Sequence, residues 1–215
     1  AARARHRNII NNIKTLATNN HIIALQETHL NSNDFFALKH ALPHHIIFYN
    51  NGPGNREGLI TAVHKSYKRH FDIQHTIHTQ GRVSSILFEP LPSSPNQLLP
   101  FQFINLYLTT GKRNHLALKR AELTSALSLS SHIHTIATGD FNFTEHCDDA
   151  TCHTPLDSAT QEIWEQFLSH FSLREVHQPQ HTFFRISHKH ATRSSTSRLD
   201  RAYISHSEAD ITQFT

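Results

Sequence analysis

The stretch Ile133-His134-Thr135-Ile136-Ala137-Thr138-Gly139-Asp140-Phe141-Asn142 decides how this chain is read. The run Ile133 to Ala137 has the length and apolar content of a buried strand. It passes directly into Thr138-Gly139-Asp140-Phe141-Asn142, which sets a carboxylate and a carboxamide two residues apart where the strand leaves the core. Packing fixes polar groups at the mouth of a rigid scaffold, and chemistry that activates water or grips a phosphate needs them there.

The arrangement recurs outward along the chain. Gln26-Glu27-Thr28 follows the apolar run Ile22 to Leu25, Asn105-Leu106-Tyr107 closes the run Phe101 to Leu106, and Leu199-Asp200-Arg201 opens a fourth strand. Glu27 precedes Tyr107 by 80 residues, Tyr107 precedes Asp140 by 33, and Asp140 precedes Asp200 by 60.

Around these marks the periodicity places the other elements. Ile9, Ile13, Leu16 and Ala17 predict a helix over Arg5 to Thr18, stopped by Asn19-Asn20 before a strand from His21 to Gln26. Asn31 or Ser32 caps a short helix through Leu38 or Ala41, and Pro43 forces a break into a strand from His45 to Tyr49. Asn50 to Asn55 is a turn that takes two of the six glycines. Leu59 to Val63, Phe71 to Ile77 and Val83 to Phe88 read as three successive strands of a meander. Pro90 to Pro100 holds four of the eight prolines and reads as a surface loop. Helices follow over Asn114 to Ser131 and around Ile163, Trp164, Phe167, Leu168 and Phe171, with a loop from Phe143 to Ser158 between them. The tail from His177 to Ser197 reads as a strand and then a loop, and Leu199 to Ser205 as a strand with Asp200, Ala202 and Ile204 on one face. Helices mixed with strands in this order favour an α/β (α+β) architecture of two packed sheets covered by outer helices.

A chain of 215 residues with 37% apolar content can bury one core, so a single domain over 1–215 is expected. There is no run of about 18 apolar residues and no apolar segment behind the basic amino terminus, so the chain reads as soluble and intracellular. No methionine occurs, at position 1 or elsewhere, and the chain is expected to be a piece of a longer translation product.

The net charge of +3, with 21 histidines besides, permits nucleic acid without requiring it. Basic residues gather at Arg3, Arg5 and Arg7, at Lys65, Lys68 and Arg69, at Lys112, Arg113, Lys119 and Arg120, and at Arg185, Lys189, Arg193, Arg198 and Arg201. The plain reading of any one cluster is a solvated face. Cys147 and Cys152 give no disulfide framework. With His146 and His153 they raise structural zinc, although the spacing matches no standard finger and a surface loop is the simpler reading.

Gln26-Glu27-Thr28-His29, Asn105-Leu106-Tyr107, Gly139-Asp140-Phe141-Asn142 and Ser197-Arg198-Leu199-Asp200-Arg201, in this order, resemble the endonuclease/exonuclease/phosphatase superfamily. Within it they are most similar to the apurinic-endonuclease-like domain of non-LTR (LINE-type) retrotransposons. The resemblance implies a DNase I-like four-layer αββα sandwich and a phosphodiester hydrolase that nicks DNA and uses Mg²⁺ or Mn²⁺. It implies Glu27 as the metal ligand and Tyr107, Asp140, Asn142 and Asp200 as catalytic residues. In those roles Tyr107 donates its hydroxyl to a phosphoryl oxygen, Asp140 orients or deprotonates the attacking water, Asn142 donates its amide to the phosphate, and Asp200 holds a catalytic histidine. It further implies covalent linkage to a reverse transcriptase and a nuclear location.

The chain departs from the family pattern at both ends, lacking the first strand with its Asn and the last with Ser-Asp-His, and is expected to be truncated there. His206 is a poor substitute for the missing imidazole. Two other readings stay open: a phosphoinositide or sphingolipid phosphodiesterase of the same superfamily, and a degenerate copy that at most binds nucleic acid.

Overall fold

The computed structural model describes residues 2–55, 57–94, 98–110, 115–145, 149–150, 156–176, 183–186, 194–197 and 199–205. Arg5 to Thr18 lies within α1 (Ala2–Asn19), which feeds β1 (Ile22–Leu25). The next helix, α2 (Ser32–Ala41), starts at a reciprocal cap: the Asn31 side chain accepts from the Asn33 and Asp34 N–H groups while Asp34 accepts from the Asn31 N–H. β2 (His45–Asn51) and β3 (Gly58–His64) complete an antiparallel sheet in the order β1-β3-β2.

β4 (Phe71–Thr79), β5 (Val83–Pro90), β6 (Phe101–Tyr107), β7 (His134–Asp140), β8 (Arg174–Glu175) and β11 (Asp200–Ile204) form the second sheet, ordered β4-β5-β6-β7-β11-β8. Among the described strands only β6 and β7 pair in parallel, and α3 (Leu116–Ala126) crosses between them. α4 (Ser158–His170) begins on Asp157, whose carboxylate accepts from the Thr160 N–H at 3.2 Å. β9 (Phe183–Ile186) and β10 (Ser194–Ser197) make a separate antiparallel pair.

Three apolar clusters order the layers. Ile13, Ile23, Leu38, Leu42 and Ile60 join α1 and α2 to the outer face of the three-stranded sheet. Val63, Phe71, Ile86, Phe88 and Phe103 fill the space between the sheets. Leu123, Phe141, Trp164, Phe167, Phe171 and Tyr203 join the large sheet to α3 and α4. The result is the four-layer αββα sandwich. Each fully buried aromatic or branched side chain contributes about 1.5–3 kcal/mol, so the Trp164 side, rich in ring contacts, anchors the fold.

Five expectations are corrected. The supposed meander is split: β3 belongs to the small sheet and β4 with β5 to the large one, a choice that apolar alternation within a strand does not contain. The helix expected to run to Ser131 ends at Ala126, and the turn at Asn50 is still strand through Asn51. The tail carries two strands where one and a loop were expected. Finally, Lys119 and Arg201, grouped with surface charge, are each 1% exposed.

Candidate active site

Pairing register assembles the site. In the large sheet Tyr107 lies beside Asp140 across the parallel β6–β7 ladder, and Asp140 lies beside Asp200 across β7–β11. Side chains paired this way share a face, so Tyr107, Asp140 and Asp200 all point to the side that meets the small sheet. The small sheet answers from β1. The Tyr107 hydroxyl donates to Glu27 Oε1, Gln26 Nε2 donates to Asn105 Oδ1 at 2.8 Å, and Asn105 Nδ2 donates to the Ile60 carbonyl at 3.0 Å and to Thr61 Oγ1 at 3.2 Å. These bonds clamp the two sheets together beneath the polar cluster.

The Gly139-Asp140-Phe141-Asn142 turn has a local physical cause. Gly139 has φ 155°, and a Cβ there would lie 1.9 Å from the Leu106 carbonyl oxygen, so only glycine fits. Asp140 Oδ1 accepts from the Asn142 N–H at 2.9 Å, closing an Asx turn that carries Asn142 at φ 51°. Asn142 Nδ2 donates to the Leu108 carbonyl at 2.8 Å, which leaves the second N–H of that amide for a ligand. Glu27 at φ 53° and His29 at φ 46° carry similar left-handed backbone where β1 ends. Such strain collects at functional sites held by a rigid surround.

Burial pushes the Asp140 carboxyl up to about 6, against the bond from the Asn142 N–H; the charges of Asp200 and Glu27 push it the same way, and Lys119 opposes them. Three carboxylates thus crowd one another. Burial, the bond to Glu27 and that group's charge raise the Tyr107 phenol, with Arg82 opposing.

Sequence reasoning missed what stands behind this cluster. The Arg82 guanidinium carbon lies 4.2 Å from the Tyr107 ring centroid, and its Nη1 donates to the Tyr107 carbonyl at 3.3 Å. It is ion-paired to Glu57 and lies 3.8 Å from Glu122. Glu122, buried, accepts from the Thr109 N–H and hydroxyl. Lys119, on the same buried face of α3, donates to the Asn142 carbonyl at 2.8 Å, and its burial lowers the ammonium to about 8 against the pull of Glu122 and Asp140. Arg201, next to Asp200, donates to the Phe143 carbonyl and pairs with Glu145 at 3.2 Å, fixing the exit of the turn to β11. The signal for Lys119 was present in Leu116, Leu123 and Leu127: Lys119 and Glu122 sit on that helix's apolar stripe.

The donor set suits a hard divalent cation. Glu27, Asp140 and Asp200 are oxygen donors whose mutual repulsion a cation relieves. Among the described residues no three His, Cys, Asp or Glu side chains close on one point as a cage. The fit is therefore to an ion that keeps several waters and takes one or two carboxylates, as Mg²⁺ does. The zinc candidates His146, Cys147, Cys152 and His153 lie outside the described residues, as do His206, Arg198, Lys112 and Arg113.

Residues 1–213 match the Endonuclease/Exonuclease/phosphatase family, and the chain belongs to it. The members of this family are hydrolases of phosphodiester bonds. The endonuclease domain of TRAS1, a telomere-specific non-LTR retrotransposon, superposes with a TM-score of 0.62 at 12% identity, over 94% of this chain and 80% of that one. The human Nocturnin catalytic domain, with bound sulfate, gives 0.58 at 15% over 94% and 75%. A truncated Caenorhabditis elegans TDP2 gives 0.53 at 18% over 94% and 79%. At these identities the likeness is one of fold. No curated protein sequence matches the chain. Among the described residues no helix is long and apolar enough to cross a membrane.

Proposed function

We propose that this chain is the DNA-nicking domain of a retrotransposon-type polyprotein, hydrolysing phosphodiester bonds with Mg²⁺ or Mn²⁺. The observation that carries the reading is the convergence of Glu27, Tyr107, Asp140, Asn142 and Asp200, drawn from both sheets, on one end of the sandwich. The fold likeness to the TRAS1 endonuclease domain supports the retrotransposon branch.

In this reading Glu27, with Asp140 and Asp200 beside it, would hold the cation, which supplies charge neutralisation at the phosphoryl oxygens. Asp140 aims the attacking water and accepts its proton. The second N–H of Asn142 holds a phosphoryl oxygen. Tyr107 donates its hydroxyl to Glu27, so it reaches the phosphate only once that bond opens. Asp200 supports an imidazole as it charges.

The second reading, a domain that binds without cutting, has its own observation. Among the described residues β1 is the edge of the small sheet, although it is apolar on both faces like a central strand. On the face of β11 that bears Asp200, Ala202 and Ile204 are only half-buried. A further strand on β1 would cover them and complete the mouth. The test is nicking of supercoiled plasmid with and without Mg²⁺, by this chain and by one extended at both ends through its flanking coding sequence. The extended chain is expected to nick, this chain scarcely at all, and Asp140→Asn or Glu27→Ala to abolish nicking. Nicking by neither, with duplex binding intact, would favour the binding-only reading.

A further inference from the structure

The strands that end at the carboxylate cluster begin or finish, at the other end, among cations. His64 closes β3; His45 opens β2 directly opposite it, and the His64 N–H donates to the His21 carbonyl at 2.7 Å, just before β1. The three imidazoles form one row across the sheet, with ring centroids 5.3 Å apart for His21 and His64 and 5.2 Å for His45 and His64. His44 adds a fourth ring 6.4 Å from His64. The chain then turns through Lys65, Lys68, Arg69 and His70, all exposed, and α2 brings Lys39 and His40 in its last turn. Tyr67, half-buried, is the other titratable group, its ring edge-on to His21.

Among the described residues no carboxylate is ion-paired to Lys65, Lys68, Arg69 or any of these imidazoles. Lys65 donates to the Pro43 carbonyl at 2.6 Å, and His45 Nε2 lies 3.3 Å from the Asn20 carbonyl. Asp72, two residues past His70, and Glu89, opposite it across β4–β5, are bridged by Gln74 on the large sheet. Burial lowers the His64 imidazole, and His45, His21, His44 and Arg69 lower it further, the effect of unneutralised like charge.

We propose that this end of the small sheet is a second nucleic-acid contact, where Lys65, Lys68 and Arg69, flanked by His21, His44, His45 and His64, hold the phosphodiester backbone of a strand extending beyond the carboxylate end. The inference rests on the reading that nucleic acid is this chain's ligand. Between Gly58 and His64 β3 spans about 20 Å, so only a strand that runs past the carboxylate end by more than that length reaches both ends. A membrane surface is the poorer occupant, because residues 43–45 and 64–70 expose no large apolar side chain to insert.

The test is fluorescence anisotropy with a labelled duplex of about 30 base pairs over a salt series, using the whole chain and Lys65→Glu/Lys68→Glu/Arg69→Glu at three exposed positions, with thermal unfolding to check that the variant is folded. The variant is expected to bind at least tenfold more weakly near 0.1 M salt, with the slope of log K against log salt smaller by about 3. Equal affinity and equal slope for the triple variant would sink this inference alone. Absence of duplex binding by the native chain, even near 0.05 M salt, would sink it together with the reading of DNA as ligand. Loss of binding to phosphatidylserine vesicles, with duplex binding unchanged, would replace it with a membrane contact.

Discussion

The two ends of the small sheet's strands are opposites. At one, Glu27 meets Asp140 and Asp200 on backbone bent into the left-handed region at Glu27, His29 and Asn142. At the other, four imidazoles and three cations sit at the ends of regularly paired strands. One end concentrates negative charge that a cation would relieve, the other positive charge that a polyanion would relieve. The difference teaches where rigidity is needed. A site that aims one water requires fixed geometry and strained turns, whereas a contact with repeating phosphates needs only charge in the right region.

The largest expected effect lies at the strained end. In an active, extended chain Asp140→Asn should lower the nicking rate by about 10²- to 10⁴-fold, while the Lys65/Lys68/Arg69 triple variant should alter cutting of a very short substrate little. If both changes lowered that rate alike, the division of labour between the ends would be wrong.

Gly139→Ala tests the rigidity directly. A Cβ 1.9 Å from the Leu106 carbonyl oxygen forces the β6–β7 ladder apart, and urea unfolding should report a loss of about 4 kcal/mol or more. Gly54→Ala, at φ 63° but with nothing within 4 Å of the added methyl, should lose only about 1 kcal/mol. Similar losses at the two glycines would mean the turn is softer than its contacts require.

Lys119→Met leaves the Asn142 carbonyl without its buried donor and Glu122 with one cation fewer, for an expected loss of about 2 kcal/mol. It should also raise the pH at which nicking reaches half its maximum, because Lys119 holds the Asp140 carboxyl down. Lys119→Arg should restore part of both.

Smaller still is the pH dependence of stability. Asp140 has a carboxyl near 6 when folded against an ordinary 3.8, so the folded chain binds more protons between those values and its stability falls as pH rises through them. Asp140→Asn should therefore stabilise the chain by about 1–3 kcal/mol above pH 6, and the gain should vanish below about pH 4. His64 has the opposite sign: its imidazole is lowered, so stability is lost as pH falls below about 6.5, and His64→Gln should flatten that slope slightly. An unchanged slope would argue that the rings do not feel one another.

The sequence by itself determined most of the strands, the layer architecture and the polar residues at strand ends, because apolar periodicity, caps and the Gly-Asp-Phe-Asn turn are local properties of the chain. Asn31 at the start of α2 and Asp200 with Ala202 and Ile204 on one face were legible for that reason. Which sheet a strand joins was not. β3 left the meander because pairing depends on partners far along the chain, and Asn105 bonds to Gln26 and Ile60 only once both sheets exist. The shift at Asp140, the burial of Lys119 behind it and the row of His21, His64 and His45 likewise belong to the tertiary structure. Burial and the approach of distant charges set them, and neither is written at any single position.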